Sequence, residues 1–152
     1  MPLPQVELVV IALGTPLLVG VYEDGELVER FEEHEKTSEA LPKLFAAILE
    51  RYEPKRIYYA RGPGSFMAIK LAYIFLETLR IAKGVELVGC EGFVFNDNQP
   101  IKAMGNLYFV KEGEKIVTKK LEGVKGGFRL PETTKELKCS DERTPLYVLP
   151  AV

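Results

Sequence analysis

The chain has 152 residues, of which 47% are hydrophobic and 28% charged, and its formal net charge is −2. This length and balance are typical of one ordinary globular domain, or two small lobes, with a real hydrophobic core. The slightly negative charge does not fit a generic nucleic-acid binder, whose surface carries a strong basic excess.

The sequence shows no sign of export or membrane insertion. Its N-terminus lacks a basic segment followed by a long apolar run, so no signal peptide is expected. The longest apolar stretch, residues 66–76, is interrupted by Lys70 and is too short to span a bilayer. Cys90 and Cys139 lie far apart and in no metal or redox spacing, so we expect two reduced thiols. These features predict a cytoplasmic protein.

The first 95 residues are predicted to form seven elements in the order βββαβαβ. Strands are predicted at residues 5–13, 17–23, 26–32, 56–60 and 85–90, and helices at residues 37–51 and 65–82. Asp24-Gly25 joins the second and third strands, because this pair supplies the positive φ angles of a tight hairpin turn. Antiparallel strands followed by helix-linked strands predict an α/β lobe with a mixed sheet and packed helices.

After residue 95 the pattern changes, and we place a second, smaller domain at residues 96–152. Residues 106–110 and 115–119 are predicted to pair as a hairpin. The following residues 123–128 are rich in glycine, and the final segment carries few residues suited to a core. The prediction is a small β-rich unit with an irregular tail.

A glycine-proline loop, RGPGS, leads into the second helix; its residues are Arg61, Gly62, Pro63, Gly64 and Ser65. Ser65 is a good helix N-cap, and the free N–H groups of a helix start favour an anion. The loop matches neither the P-loop nor the GxGxxG pattern. It is therefore either a tight structural turn or a phosphate site, and the residues leave both readings open.

The helix after this loop is apolar almost all the way round. Between residues 66 and 82 only Lys70, Glu77, Thr78 and Arg80 are polar. These four fall in one arc of about 160°, which also contains Phe66, Met67, Tyr73, Ile74 and Ile81. Such a helix is either sandwiched inside its own domain or presents an apolar patch to another protein.

Residues for catalysis or metal binding are not evident in the sequence. The one histidine, His34, lies in the charged run EEHEK, which is typical of a solvated surface. No pair of carboxylates stands out for acid–base chemistry. We therefore predict no metal site and no catalytic residue.

Residues 60–70, ARGPGSFMAIK, resemble a motif of the TsaB (YeaZ) family, G-R-G-P-G-S-F-T-G-[IVL]-R. Residues 61–66 match it without a gap, while Met67, Ala68 and Lys70 replace its threonine, glycine and arginine. The position of the match, after a strand and before a helix, agrees with the family.

Two further segments carry the resemblance, which covers residues 5–95. Residues 36–45, KTSEALPKLF, are similar to the family segment H-[ST]-[EQ]-x-[IL]-[LM]-P, with Lys36 where a histidine is common. Residues 88–93, VGCEGF, are similar to the strand and turn that close the family's first lobe. The resemblance implies an actin-like, RNase H-like lobe followed by a shortened second lobe.

The chain departs from this family at its first hairpin. Residues 11–18, IALGTPLL, contain no carboxylate, whereas the actin-like ATPases carry an acidic residue there. Such a chain is not expected to bind a metal-bound nucleotide by itself. A small ATPase or kinase that uses the RGPGS loop for phosphate is the alternative. A protease is a third reading, for which the sequence supplies no nucleophile and base.

The resemblance implies a non-catalytic subunit of the machinery that makes N6-threonylcarbamoyladenosine at position 37 of tRNA. Its partners would be homologues of TsaD, which carries the catalysis, and of the ATPase TsaE; tRNA would be contacted only through the complex. The alternatives of a homodimer and of ATP or ADP at the partner junction stay open. Family members pair through the two helices of the first lobe, so our core and interface candidates are Leu41, Phe45, Ile48, Ile69, Tyr73 and Ile74.

Overall fold

The computed structural model describes residues 2–140 and 142–148, and its elements alternate much as the sequence predicts. The strands are β1 (Gln5–Ile11), β2 (Leu17–Glu23), β3 (Glu26–Glu33), β4 (Glu53–Gly62), β5 (Glu86–Glu91), β6 (Ile101–Met104), β7 (Leu107–Glu112) and β8 (Lys115–Lys120). The helices are α1 (Thr37–Arg51) and α2 (Phe66–Lys83), and a short 3-10 turn covers Gly92–Phe95. In the described part of the chain, neither α1 nor α2 has the length and apolarity needed to cross a membrane.

The larger sheet has the strand order β3-β2-β1-β4-β5, which places β1 at its centre. β1 pairs antiparallel with β2 and parallel with β4, and β4 pairs parallel with β5. Parallel neighbours need crossover connections, and α1 and α2 supply them. The structure confirms the predicted α/β class, the mixed sheet and the βββαβαβ order.

The boundary between α1 and β4 differs from the prediction. The strand predicted at residues 56–60 begins earlier, since Glu53, Pro54 and Lys55 already belong to β4. The Glu53 N–H donates to the Pro4 carbonyl at 2.8 Å, and Glu53 pairs with Gln5 in the sheet. Pairing with the start of β1 therefore draws these residues into the strand.

The second sheet has three strands in the order β6-β7-β8. β7 and β8 form the hairpin expected from the sequence. β6 was not predicted, because its four residues gain strand geometry only by pairing with β7. The division of the chain into two domains near residue 95 stays a prediction.

Both helices pack on one face of the larger sheet. α1 lies over β2, while α2 lies beside α1 and over β4 and β5. The side chains of Phe45 and Phe75 meet edge to face, with ring centroids 5.2 Å apart, and join the two helices. On this face, β1 contributes Leu8 and Val10, which are buried beneath the helices.

The opposite face of the same sheet is covered by the returning C-terminal tail. β1 contributes Val9 and Ile11 to this face. They pack in one cluster with four side chains of the tail: Phe128, Leu130, Leu137 and Cys139. The tail is also hydrogen-bonded, since the Tyr22 hydroxyl donates to the Pro131 carbonyl at 2.6 Å. As expected from the sequence, the final segment carries few core residues: Leu130, Leu137 and Cys139 are half-buried, and each stands singly between polar residues.

The prediction of two reduced thiols is wrong, because Cys90 and Cys139 form a disulfide. Cys90 lies at the end of β5, fully buried, and Cys139 lies on the tail. The 49 residues between them hide the pairing in the sequence. Only the return of the tail across the sheet brings the two sulfur atoms together.

The orientation of α2 predicts different effects at two of its apolar residues. Leu76 is fully buried under the helix, whereas Ile81 is 72% exposed. We expect Leu76→Ala to lower the free energy of unfolding by about 2–5 kcal/mol, because it leaves a cavity. Ile81→Ala should change it by less than about 0.5 kcal/mol, because it removes no core contact. Urea denaturation of both variants measures the difference, and equal losses would contradict this orientation.

Candidate functional site

Helix α2 has four sides, three of which contact the rest of the protein. Ile69, Ala72 and Leu76 are buried against the sheet, and Phe75 faces α1. On the third side, Phe66 contacts Tyr147 and Glu77 contacts Arg143. Tyr73, on the same side, contacts Tyr59 of the strand below. The fourth side carries Met67, Ile74 and Ile81, seven residues apart and 64%, 52% and 72% exposed. We call these three residues the apolar stripe.

The six residues named as core or interface candidates divide clearly in the structure. Four of them lie in the core, with exposed fractions of 0–1%, and are not available to a partner: Leu41, Phe45, Ile48 and Ile69. They point at the sheet because they lie on the apolar side of each helix that faces it. Ile74 is exposed, and Tyr73 is half-buried.

Tyr73 is held by an aromatic contact with the strand below. Its ring stacks on that of Tyr59 with centroids 6.2 Å apart. A change at Tyr73 would therefore disturb the core as well as the surface. Met67 and Ile81 complete the exposed side together with Ile74, although sequence reasoning did not select them as site residues. Their spacing of seven residues, within the helix arc that also carries the polar residues, was the sequence feature that could have identified them.

The RGPGS loop makes the turn from β4 into α2. Ser65 is the N-cap of α2, and its Oγ accepts a hydrogen bond from the Ala68 N–H at 3.4 Å. The Ser65 N–H donates to the Leu13 carbonyl at 3.0 Å. A Cβ on Gly64 would lie 2.9 Å from Leu13 Cβ, so glycine allows this close approach to β1. These contacts support the structural reading of the loop.

Arg61 binds residues 142–148, which we call the strap. Arg61 is 7% exposed; its Nε donates to the Thr144 carbonyl at 2.7 Å, and its Nη2 lies 2.9 Å from a Glu142 carboxylate oxygen. The Leu146 N–H donates to the Arg61 carbonyl at 2.7 Å. Arg61 is thus directed at a main chain rather than at an open anion site.

Two further groups hold the strap against α2. The Tyr59 hydroxyl donates to the Arg143 carbonyl, and burial raises the pKa of Tyr59 well above its usual range. Arg143 Nε lies 3.2 Å from a Glu77 carboxylate oxygen. Hydrogen bonds from Arg80 and, to a smaller extent, Arg143 lower the pKa of Glu77. Glu77 is therefore an anion that both arginines share.

A cleft of about 760 Å³ lies between the larger sheet and the second sheet. Its lining includes Gly14 and Thr15 from the first turn, Ser65 from the RGPGS loop, and Lys102 from β6. It also includes Asn96, whose Oδ1 is buried without a hydrogen-bond partner. The lining carries one cation, Lys102, and one anion, Glu32, so Lys102 is the group in this cleft that can pair with a phosphate.

Among residues 2–140 and 142–148, no three His, Cys, Asp or Glu side chains are grouped so that they could hold a metal ion. His34 lies exposed, with Nε2 3.4 Å from a Glu32 carboxylate oxygen. The features that stand out are therefore a surface, the apolar stripe, and a cleft.

The arrangement of strands and helices defines a mixed α/β fold, with a five-stranded mixed sheet and a separate three-stranded sheet. Among solved structures, it is similar to YeaZ from Pseudomonas aeruginosa, with a TM-score of 0.63 and 12% identity over 83% of this chain and 72% of that one. It is also similar to an uncharacterized protein with similarity to peptidase YeaZ from the same organism, with a TM-score of 0.61 and 13% identity over 82% and 70% of the two chains. The chain therefore has the YeaZ fold.

Sequence comparison adds no relative to these structures. No protein-family model matches the chain, and no curated protein matches it. At 12% and 13% identity the structural likeness shows the fold and nothing further.

The contact between Gly62 and the strap can be tested by adding one methyl group. Gly62 has a φ of +137°, and a Cβ there would overlap the Leu146 carbonyl oxygen. We expect Gly62→Ala to be destabilising, because it combines backbone strain with this overlap. Gly84→Ala is the matched control, since Gly84 also has positive φ, +69°, but has open space around it. If urea denaturation shows equal losses in the two variants, the overlap with the strap contributes nothing.

Proposed function

We propose that this protein is a non-catalytic subunit that pairs with a TsaD homologue in the synthesis of N6-threonylcarbamoyladenosine on tRNA. The observation that carries the proposal is the apolar stripe, which this YeaZ-like fold leaves uncovered on α2. Large exposed apolar side chains that lie together mark interaction surfaces.

The shape of the stripe favours a helical partner. Its residues repeat every seven positions along an 18-residue helix, so they form one straight row. A row of this kind packs well against a second helix that lies nearly parallel or antiparallel to it. A partner of related fold would offer such a helix from its own first lobe.

The neighbouring residues would set the border of this contact. Phe66 is 45% exposed and meets the ring of Tyr147, also 45% exposed, with centroids 5.1 Å apart. The two aromatic rings extend the apolar surface beyond the start of α2, and the exposed Lys70 lies along the stripe. Aromatic side chains with a polar border are common in protein interfaces. In this proposal Met67, Ile74 and Ile81 form the centre of the contact.

The remaining parts of the complex follow from the same proposal. The TsaD homologue would hold the metal and the nucleotide and carry out the transfer, and a TsaE homologue would join the complex. The tRNA would be reached through the complex rather than by this chain, whose net charge is −2. ATP or ADP at the junction with the partner is the one cofactor contact the proposal allows.

The proposal is tested by measuring the mass in solution, by light scattering after gel filtration, of this protein alone and mixed with its TsaD homologue. We expect a one-to-one complex that displaces any homodimer. Ile74→Glu should abolish the complex without unfolding the protein, because it places a charge in the apolar contact.

Val28→Glu is the matched control for this experiment. Val28 lies on β3 and is 49% exposed, close to the 52% of Ile74, but it is remote from α2 in the fold. This variant should bind the partner like the unchanged protein. Binding by Ile74→Glu, or no binding by the unchanged chain, would refute the proposal.

One observation favours the alternative of a small ATPase or kinase: the cleft between the two sheets, with glycines, Ser65 and Lys102 in its lining. An ATP-binding protein of this kind should bind the nucleotide alone, and Lys102→Ala should weaken the binding because it removes the lysine from the lining of the cleft. Calorimetry with MgATP measures this directly. We expect no heat of binding from the isolated protein, and clear binding lost in Lys102→Ala would favour the alternative.

A further inference from the structure

The tail of this protein passes around the outer edge of the larger sheet. Residues 128–139 pack on the face opposite the helices. The strap, in contrast, lies on the helix side, because Arg143 contacts both Tyr59 and Glu77 there. Between these two parts the Ser140 N–H donates to the Gly89 carbonyl of β5 at 3.1 Å. A Cβ on Gly89 would overlap the Glu142 carbonyl oxygen, so the chain crosses the edge in direct contact with β5.

The strap covers a surface with the composition of a binding site. Beneath it lie Tyr59, which is 1% exposed, and the buried Arg61. Tyr73 stacks on Tyr59 and continues this surface toward the apolar stripe. Tyrosine and arginine are enriched among the residues that contribute most to protein interfaces. Without the strap, the Tyr59 hydroxyl and the Arg61 guanidinium would lose the main-chain carbonyls that they bind.

The strap itself is held by few apolar contacts. Its exposed residues are Glu142, Arg143, Thr144 and Tyr147, and its half-buried residues are Pro145, Leu146 and Val148. Its attachment combines hydrogen bonds to Arg61 and Tyr59 with two side-chain contacts near its end, Tyr147 on Phe66 and Val148 against the cluster of Phe93, Ile101 and Phe109. A segment that buries little apolar area gains little against the entropy lost by ordering it.

The tail before the disulfide is attached in a different way. Phe128, Leu130 and Leu137 pack in the core cluster of the sheet. Thr134 is buried, and its hydroxyl lies 2.6 Å from a Glu7 carboxylate oxygen. These contacts do not depend on Cys139. The disulfide therefore lies between a firmly packed segment and a weakly packed one.

We propose that the Cys90–Cys139 disulfide is a thiol-controlled latch: while intact it fixes the strap over Tyr59 and Arg61, and its reduction releases the strap and frees the polar groups of both residues. The inference goes beyond the proposed function, because it concerns this chain alone. Release is confined to the strap, since the preceding residues keep their own core contacts.

The chemistry is thiol–disulfide exchange with a dithiol. One thiolate of the dithiol attacks the sulfur of Cys139, which is half-buried, whereas Cys90 is fully buried. The Cys90 sulfur leaves as a thiolate and takes a proton from water. The second thiol of the reagent then displaces Cys139 as a free thiol and leaves the reagent as a disulfide. Two electrons pass from the dithiol to the protein, and a small-molecule disulfide reverses the sequence.

The latch is tested by amide hydrogen exchange of the full chain, followed by NMR, before and after addition of dithiothreitol. The N–H groups of Ser140 and Leu146 report on the strap, since they donate to Gly89 and Arg61. Reduction should speed their exchange by about tenfold or more, which corresponds to losing roughly one hydrogen bond of net stabilisation. The amides of β1 and β4 should be unchanged, and reoxidation should restore protection.

A variant and a protease distinguish the latch from other roles of the disulfide. Cys139→Ser should reproduce the reduced behaviour without dithiothreitol, and trypsin should cleave after Arg143 faster in both forms. Unchanged protection of Leu146 after reduction would overturn the latch, because the strap would then be held without the disulfide. Loss of protection in β1 and β4 as well would also overturn it, because the disulfide would then support the whole fold.

Discussion

The structure depends on the need to cover both faces of one sheet. The central strand β1 is buried on both faces, with Leu8 and Val10 under the helices and Val9 and Ile11 under the tail. A strand of this kind is a continuous apolar run rather than an alternating one, which is what residues 8–11 show. The two helices can cover one face only. The tail must therefore return across the other face, and its path determines most of the remaining features.

The return of the tail explains features that look unrelated in the sequence. It brings Cys139 to Cys90, places Thr134 beside Glu7, and leads the strap to the RGPGS loop. Gly62 and Gly89 lack side chains where the strap passes closest to the sheet. The loop that resembles a phosphate site is thus largely occupied by the protein's own main chain.

Covering both faces of the sheet still leaves one side of helix α2 without contacts inside the molecule. Three sides of α2 contact the sheet, α1 and the strap, so a helix that is apolar all round still presents Met67, Ile74 and Ile81 to solvent. The sequence offered a buried helix or an interface helix as alternatives, and the structure shows features of both. The proposed function and the proposed latch concern adjacent parts of this region, the exposed stripe and the surface beneath the strap.

The sequence by itself determined most elements of residues 5–91, because they have local causes: the apolar run of β1, the Asp24-Gly25 turn, and the Ser65 cap of α2. It also placed the apolar excess on α2, since helical periodicity is a local property. Only the tertiary structure decided which of the six candidate residues are buried. Four of them are in the core because the sheet lies beneath them: Leu41, Phe45, Ile48 and Ile69. The position of the sheet relative to a helix cannot be read from the local sequence of that helix. The disulfide, the strand β6 and the buried role of Arg61 were likewise beyond the sequence, because each depends on a contact between segments that only the complete fold brings together.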